Sequence, residues 1–90
     1  MTYPEYAYIC KTLGDPTRIK IFDMLKEGKQ CACEILEKFD ITQPTLSYHM
    51  KMLTQSGLIT AQKEGKWIYY SINQEVLKEF IDFLTSAKTE

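Results

Sequence analysis

Histidine and tryptophan occur once each in the 90 residues, cysteine and proline three times each, and glycine four times. Three cysteines exclude a disulfide-dense mini-protein. The scarcity of proline and glycine excludes collagen-like and low-complexity chains. No uninterrupted apolar run exceeds Tyr6–Cys10, against the ~18 residues that a membrane helix needs, so no membrane partner is expected. The opening Met-Thr-Tyr-Pro-Glu-Tyr has neither a basic n-region nor an apolar h-region. No export signal is therefore expected, and the chain is expected to be cytoplasmic.

What is present is ordinary for a soluble globular chain: 44% hydrophobic and 26% charged residues. The length suits one domain, residues 1–90. A domain this small buries only roughly 60–65% of its unfolded surface, which favours dimerisation. Net charge is −1, but its distribution is uneven. Residues 1–40 balance to −1, residues 41–72 to +2 and residues 73–90 to −2. The middle third is a mildly basic surface on an acidic protein.

Punctuation along the chain predicts the element order ααααββα, mostly helical with one β-hairpin. Tyr6, Ile9, Cys10 and Leu13 recur at helical spacing before Gly14, giving a first helix over residues 3–13. Asp15 caps a second, with Pro16 at its first position, Ile19, Phe22 and Leu25 on its apolar side with Ile21 and Met24 beside them, and Gly28 closing it. A short third helix is expected from Cys31 to Phe39, with Ile35, Leu36 and Phe39 facing inward. Thr42 caps a fourth, with Pro44 in the first turn and Gly57 beyond its end. Ile59–Lys63 and Lys66–Ile72 then alternate as strands around a Glu64-Gly65 turn. Ile68, Tyr70 and Ile72 are expected on the core face, with Trp67, Tyr69 and Tyr70 as packing residues. Asn73 caps a last helix over residues 74–87.

Two short helices followed by a β-hairpin are the layout of a winged helix-turn-helix. On the fourth helix, Leu46, Met50 and Leu53 share a narrow arc. Pro44, Tyr48, Lys51 and Gln55 point the opposite way, with Ser47 on the flank and Gln43 and Thr45 in the first turn. Such groups reach base edges and phosphates when a helix enters a major groove. Lys63 and Lys66 flank the hairpin turn, where cations gain by displacing counterions. The candidate DNA-binding residues are therefore Gln43, Thr45, Ser47, Tyr48, Lys51, Gln55, Lys63 and Lys66.

The stretches Leu-Gly-Asp-Pro-Thr-Arg-Ile-Lys-Ile (13–21), Cys-Ala-Cys-Glu-Ile-Leu (31–36) and Gln-Pro-Thr-Leu-Ser-Tyr-His-Met-Lys-Met-Leu (43–53) resemble the ArsR/SmtB family. So do Ser-Gly-Leu-Ile (56–59) and Glu-Gly-Lys-Trp-Ile-Tyr-Tyr (64–70). These are bacterial winged-helix repressors that respond to metals or metalloids. The resemblance implies a homodimer that binds operator DNA and is released by an inducer, not an enzyme. It also implies that Cys31 and Cys33 supply thiolates to a soft ion, with As(III) or Sb(III) ahead of Cd(II) or Pb(II), and that no resident cofactor is required.

Thiolates suit soft ions, and a helix N-terminus lowers a thiol pKa. Two residues apart is poor geometry inside a regular helix, so binding is expected to deform the first turn. One arsenic-responsive pattern of the family has a third cysteine where this chain has Leu36. Cys10 either completes the site across a dimer or is a small buried hydrophobe on its stripe. The same thiols also admit a redox or reactive-sulfur sensor, and a winged-helix module for protein contacts alone is the more distant alternative. The family's zinc site on the last helix is not expected, because Glu75, Glu79 and Asp82 have no histidine beside them and read as a solvated face. His49 is expected to pack or to contact phosphate. The last helix is broader in apolar residues than one small domain requires: Leu77, Phe80, Ile81 and Leu84, widened by Val76 and Phe83. Together with Tyr3, Tyr6 and Tyr8 on the first helix, it is expected to form the two-fold interface.

Overall fold

Side-chain caps set where the helices begin. The Thr2 hydroxyl accepts from the Glu5 N–H while the Glu5 carboxylate accepts from the Thr2 N–H, a reciprocal cap that starts α1 (Tyr3–Leu13). The Asp15 carboxylate accepts from the Arg18 N–H at 3.1 Å and starts α2 (Pro16–Leu25). Thr42 does the same for α4 (Gln43–Gln55) through the Thr45 N–H, and Asn73 for α5 (Gln74–Thr85) through the Val76 N–H. Each such cap contributes about 0.5–2 kcal/mol, so four polar side chains define the helical frame.

The computed structural model describes residues 1–88; Thr89 and Glu90, with the Glu90 charge counted above, lie outside the described residues. Between α2 and α4 lie β1 (Gln30–Cys31) and α3 (Ala32–Leu36); β2 (Ile59–Glu64) and β3 (Trp67–Ile72) follow α4. The sheet order is β1-β3-β2, antiparallel throughout, with Cys31 opposite Tyr69 and Glu64 opposite Trp67. The fold is a winged helix-turn-helix whose wing gains one short strand.

Several expectations need correction here. The third helix does not run from Cys31 to Phe39. Cys31 is extended (φ −71°, ψ 147°) and pairs with β3, so only Ala32–Leu36 is helical. The hairpin turn is Gly65-Lys66 and not Glu64-Gly65, because Glu64 still pairs with Trp67. Gly65 has φ +64° at the first central position, which glycine adopts without strain. On α2, Ile19 is exposed and Ile21 is buried in its place, since Arg18, Ile21 and Leu25 form the inward row. The last helix ends at Thr85, two residues earlier than its pattern suggested.

The main core joins α2, α3, α4 and β2 through Ile21, Leu25, Ile35, Leu46, Met50, Leu53 and Ile59. A smaller cluster of Ile9, Leu58 and Phe80 holds α1 and α5 to the chain between α4 and β2. Tyr6 stacks on Phe83 at 3.9 Å between ring centroids, so the first and last helices lie together. On α5 only Phe80 is buried, leaving Ile81, Phe83 and Leu84 exposed. The chain measures 48 × 25 × 23 Å with a radius of gyration of 13.9 Å. A compact domain of this length has roughly 12 Å, so the fold is elongated.

Arg18 ties the first core to the second. It is only 9% exposed, its Nε donates to the Thr12 carbonyl at 2.6 Å, and its Nη1 lies 3.1 Å from His49 Nδ1. The guanidinium thus satisfies a carbonyl at the C-terminal end of α1, where a cation is favoured by the helix dipole. It also holds α4 through its contact with His49 Nδ1.

Candidate nucleic-acid interface and thiol site

Along α4, burial of Leu46, Met50 and Leu53 turns the opposite face to solvent. Gln43, Thr45, Ser47, Tyr48 and Lys51 are all exposed, Tyr48 at 58%. Thr45 shares its hydroxyl with the Thr42 cap at 3.0 Å, which fixes its side chain at the helix start. Gln55 is also exposed but is engaged elsewhere: its Oε1 accepts from the Tyr8 hydroxyl at 3.0 Å. It therefore belongs to the α1–α4 contact, which helical spacing alone does not reveal. His49 faces Arg18 and packs within the fold.

At the wing, Lys63 and Lys66 are both exposed, and the Lys66 ammonium lies over an aromatic face, 5.4 Å from the Trp67 ring centroid. Glu64, the one acid near the tip, is paired with Lys29 at 2.8 Å, and Lys29 also sits 4.9 Å from the Tyr69 ring centroid. The Glu64 hydrogen bond raises the Lys29 pKa above the usual lysine value. The pair offsets the acid's charge and leaves the two wing lysines as the local field. Lys29 carried no signal in sequence, because its partner lies 35 residues away.

The thiols are arranged by the start of α3. The Cys31 Sγ accepts from the Cys33 N–H at 3.3 Å, and the Glu34 carboxylate accepts from the Cys31 N–H at 2.8 Å. Cysteine occupies the position that serine or threonine takes in a capping box. The signal was present in Cys31-Ala32-Cys33-Glu34, where an acid follows three residues after the cap. Cys31 precedes the helix as its cap, so the pair is not held two residues apart within a regular helical turn. The Cys33 thiol donates to the Cys31 sulfur and, with the backbone N–H groups, holds the Cys31 pKa below the usual thiol value. The same contact raises that of Cys33. Cys31 is buried and Cys33 is exposed.

Cys31 and Cys33 open on a cleft of about 330 Å³. Leu36 also lines it, Gln43 at the start of α4 forms another part, and Lys66, Trp67 and Ile68 of the wing close the far side. Ile68 is not the core residue that its alternation implied, being 42% exposed, and Trp67 is 48% exposed. Sequence reasoning did not place either of them beside the thiols. The short β1 pairing, which sets Cys31 opposite Tyr69, is what brings the wing there.

Two adjoining soft donors suit a thiophilic ion. Among the described residues no group of three His, Cys, Asp or Glu side chains is placed to hold a metal ion, so one chain supplies no third ligand. Cys10 is exposed on α1 and is not the buried hydrophobe expected from its stripe. On α5, Asp82 pairs with Lys78 at 2.7 Å and Glu79 with the N-terminal amine at 3.2 Å.

No helix among the described residues is long and apolar enough to cross a membrane. Residues 15–61 match the family described as "Bacterial regulatory protein, arsR family". The chain is 42% identical over 89 residues to the "Arsenical resistance operon repressor" of Staphylococcus aureus, covering 99% of this chain and 86% of that one. Among solved structures it is similar to an ArsR-like transcriptional regulator from Rhodococcus sp. RHA1, at 25% identity and a TM-score of 0.83, covering 93% of this chain and 79% of that one. It also shares its fold with the homodimeric winged helix-turn-helix domain Mb0332 of Mycobacterium bovis, at 24% identity and a TM-score of 0.77, over 97% and 88% of the two chains. The chain therefore belongs to the ArsR family of bacterial regulatory proteins: it is a winged-helix transcriptional regulator and not an enzyme.

Proposed function

We propose that the protein is a cytoplasmic, homodimeric repressor that binds a palindromic operator and is released when a thiophilic ion binds Cys31 and Cys33. As(III) or Sb(III) is preferred over Cd(II) or Pb(II). The observation that carries this reading is the shared cleft: the thiols, the first residue of α4 and the wing all line one space. A change at the sulfurs therefore acts directly on both DNA-facing elements.

The dimer joins α1 and α5, whose outer surface exposes Tyr3, Ile81, Phe83 and Leu84. It sets two α4 helices about 34 Å apart, one turn of B-DNA, with Gln43, Thr45, Ser47, Tyr48 and Lys51 toward the major groove. Gln55 stays with Tyr8 at the α1 contact, and Lys63 and Lys66 meet phosphates beside the groove. The ion supplies two strong bonds to sulfur. The chain does the rest: Cys31 withdraws its sulfur from the Cys33 N–H, the start of α3 loosens, and the walls carried by Gln43 and Lys66 move with it. A coupling of about 1–3 kcal/mol weakens operator binding roughly 5–150-fold. Cys10 joins the site only if the dimer brings it there.

The test is titration of the reduced protein with arsenite, antimonite, cadmium and zinc, followed by sulfur-to-metal ultraviolet absorption. Wild type is compared with Cys10→Ser and with Cys31→Ser/Cys33→Ser. Stoichiometric binding that disappears in the double variant is expected. Retention of binding there refutes the assigned site. Reversible loss of DNA binding with peroxide or persulfide, without any ion titration, replaces the ion by redox sensing.

A further inference from the structure

We propose that the Cys31/Cys33 site is selective for monosubstituted trivalent organoarsenicals, R–As(OH)2, over inorganic arsenite, with the organic group R seated in the cleft against Leu36, Trp67 and Ile68. The inference rests on the thiol-sensor reading and names the ligand class of that same site.

Trivalent arsenic forms three bonds. The two thiols satisfy two of them, and among the described residues no further His, Cys, Asp or Glu completes the set. In arsenite the third bond carries a hydroxyl, and in R–As(OH)2 it carries carbon. The residue three positions beyond Cys33 is Leu36, which lines the cleft, and facing it are Trp67 and Ile68. Both are large apolar side chains left about half exposed by the fold. A hydroxyl gains little against such a wall, whereas an apolar group removes its own surface and that of the wall from water. Gln43 and Lys66 line the same cleft and supply its polar groups.

The chemistry balances without an oxidant. Two As–O bonds break and two As–S bonds form. The two thiol protons leave with the two hydroxides as water, and arsenic stays trivalent.

The experiment uses the full chain, reduced with a phosphine and free of small thiols. It reads the emission of Trp67, the one tryptophan, and the sulfur–arsenic absorption while phenylarsine oxide or sodium arsenite is added. The phenyl compound is expected to bind at least about tenfold more tightly. Ile68→Ser, at an exposed position, is expected to cut that preference about threefold and to leave arsenite affinity within about twofold. Leu36→Cys supplies a third thiol and is expected to shift preference toward arsenite.

Equal affinity for the two compounds, or a phenyl preference unchanged in Ile68→Ser, overturns the organic class. If arsenite binding is then still lost in Cys31→Ser/Cys33→Ser, the sensor reading survives alone. Absence of binding by both compounds overturns both.

Discussion

Replacing Arg18 by methionine keeps the apolar stem and removes the guanidinium. Lost with it are the 2.6 Å bond to the Thr12 carbonyl and the 3.1 Å contact with His49. A charge-assisted hydrogen bond is worth about 1.5–3 kcal/mol and a neutral one about 1 kcal/mol. The cation's placement at the C-terminal end of α1 adds about 0.3–1 kcal/mol. Against these stands relief from burying a cation that has no carboxylate partner among the ion pairs of the described residues, which returns roughly 1–2 kcal/mol. The net expectation is a loss of about 2–3 kcal/mol. A 90-residue domain has roughly 5–13 kcal/mol in total, so the loss is large. Arg18→Lys keeps the charge but reaches one acceptor, and is expected to lose about 1 kcal/mol. Urea unfolding at matched protein concentration measures both, because dimerisation makes apparent stability concentration-dependent. A double-mutant cycle with His49→Phe is expected to give a coupling near 1 kcal/mol. Stability of Arg18→Met within about 0.5 kcal/mol of wild type, or coupling below about 0.3 kcal/mol, refutes the reasoning.

Four other outcomes follow from the same contacts. Lys63→Gln/Lys66→Gln removes four lysines from the proposed dimer and is expected to weaken DNA binding similarly for all sequences and to reduce the slope of log affinity against log salt by about 4, read by fluorescence anisotropy across a salt series. Cys31→Ala is expected to melt about 5 °C below Cys31→Ser, since both lack sulfur and only serine retains the cap; equal melting temperatures contradict the capping role. In Cys10→Ser protein, thiolate absorbance near 240 nm is expected to rise in two separated steps, the first below the usual thiol value and the second above it, because one sulfur holds the other's proton. A single step contradicts that contact. The Thr12 hydroxyl is fully buried and has no hydrogen-bond partner, so Thr12→Val is expected to gain about 1 kcal/mol by chemical denaturation.

The helical frame was legible because its signals are local. Thr42, Asn73 and Asp15 sit at the helix starts, and Leu46, Met50 and Leu53 repeat at the helical period. What escaped is set by pairings distant in sequence. β1 has only two residues and no alternation of its own, so the Gln30–Tyr70 register was invisible, and with it the approach of Trp67 and Ile68 to the thiols. Ile68 alternates with Tyr70 and Ile72 as a core residue would, yet it lies toward the tip of the wing and stays 42% exposed. Ile19 and Ile21 differ in burial because Arg18 and Leu25 select the row that faces inward, a choice the apolar count alone leaves open. The thiol site was half legible: the cysteine pair stands out in sequence, while its capping role needed a sulfur to be read as a hydroxyl.

On the proposed reading of the thiol site, that capping role sets a dose threshold. Any reagent that takes the Cys31 sulfur must first compete with the Cys33 N–H, so the affinity observed is the intrinsic affinity of the dithiol less the stability of the cap. A stronger cap would make the regulator deaf to trace exposure. A weaker one would let it respond early but leave α3 frayed at rest, with less structural change to transmit. Sensitivity and signal amplitude are then set against each other by one hydrogen bond, while Glu34 supports the same cap through the Cys31 N–H without touching either sulfur.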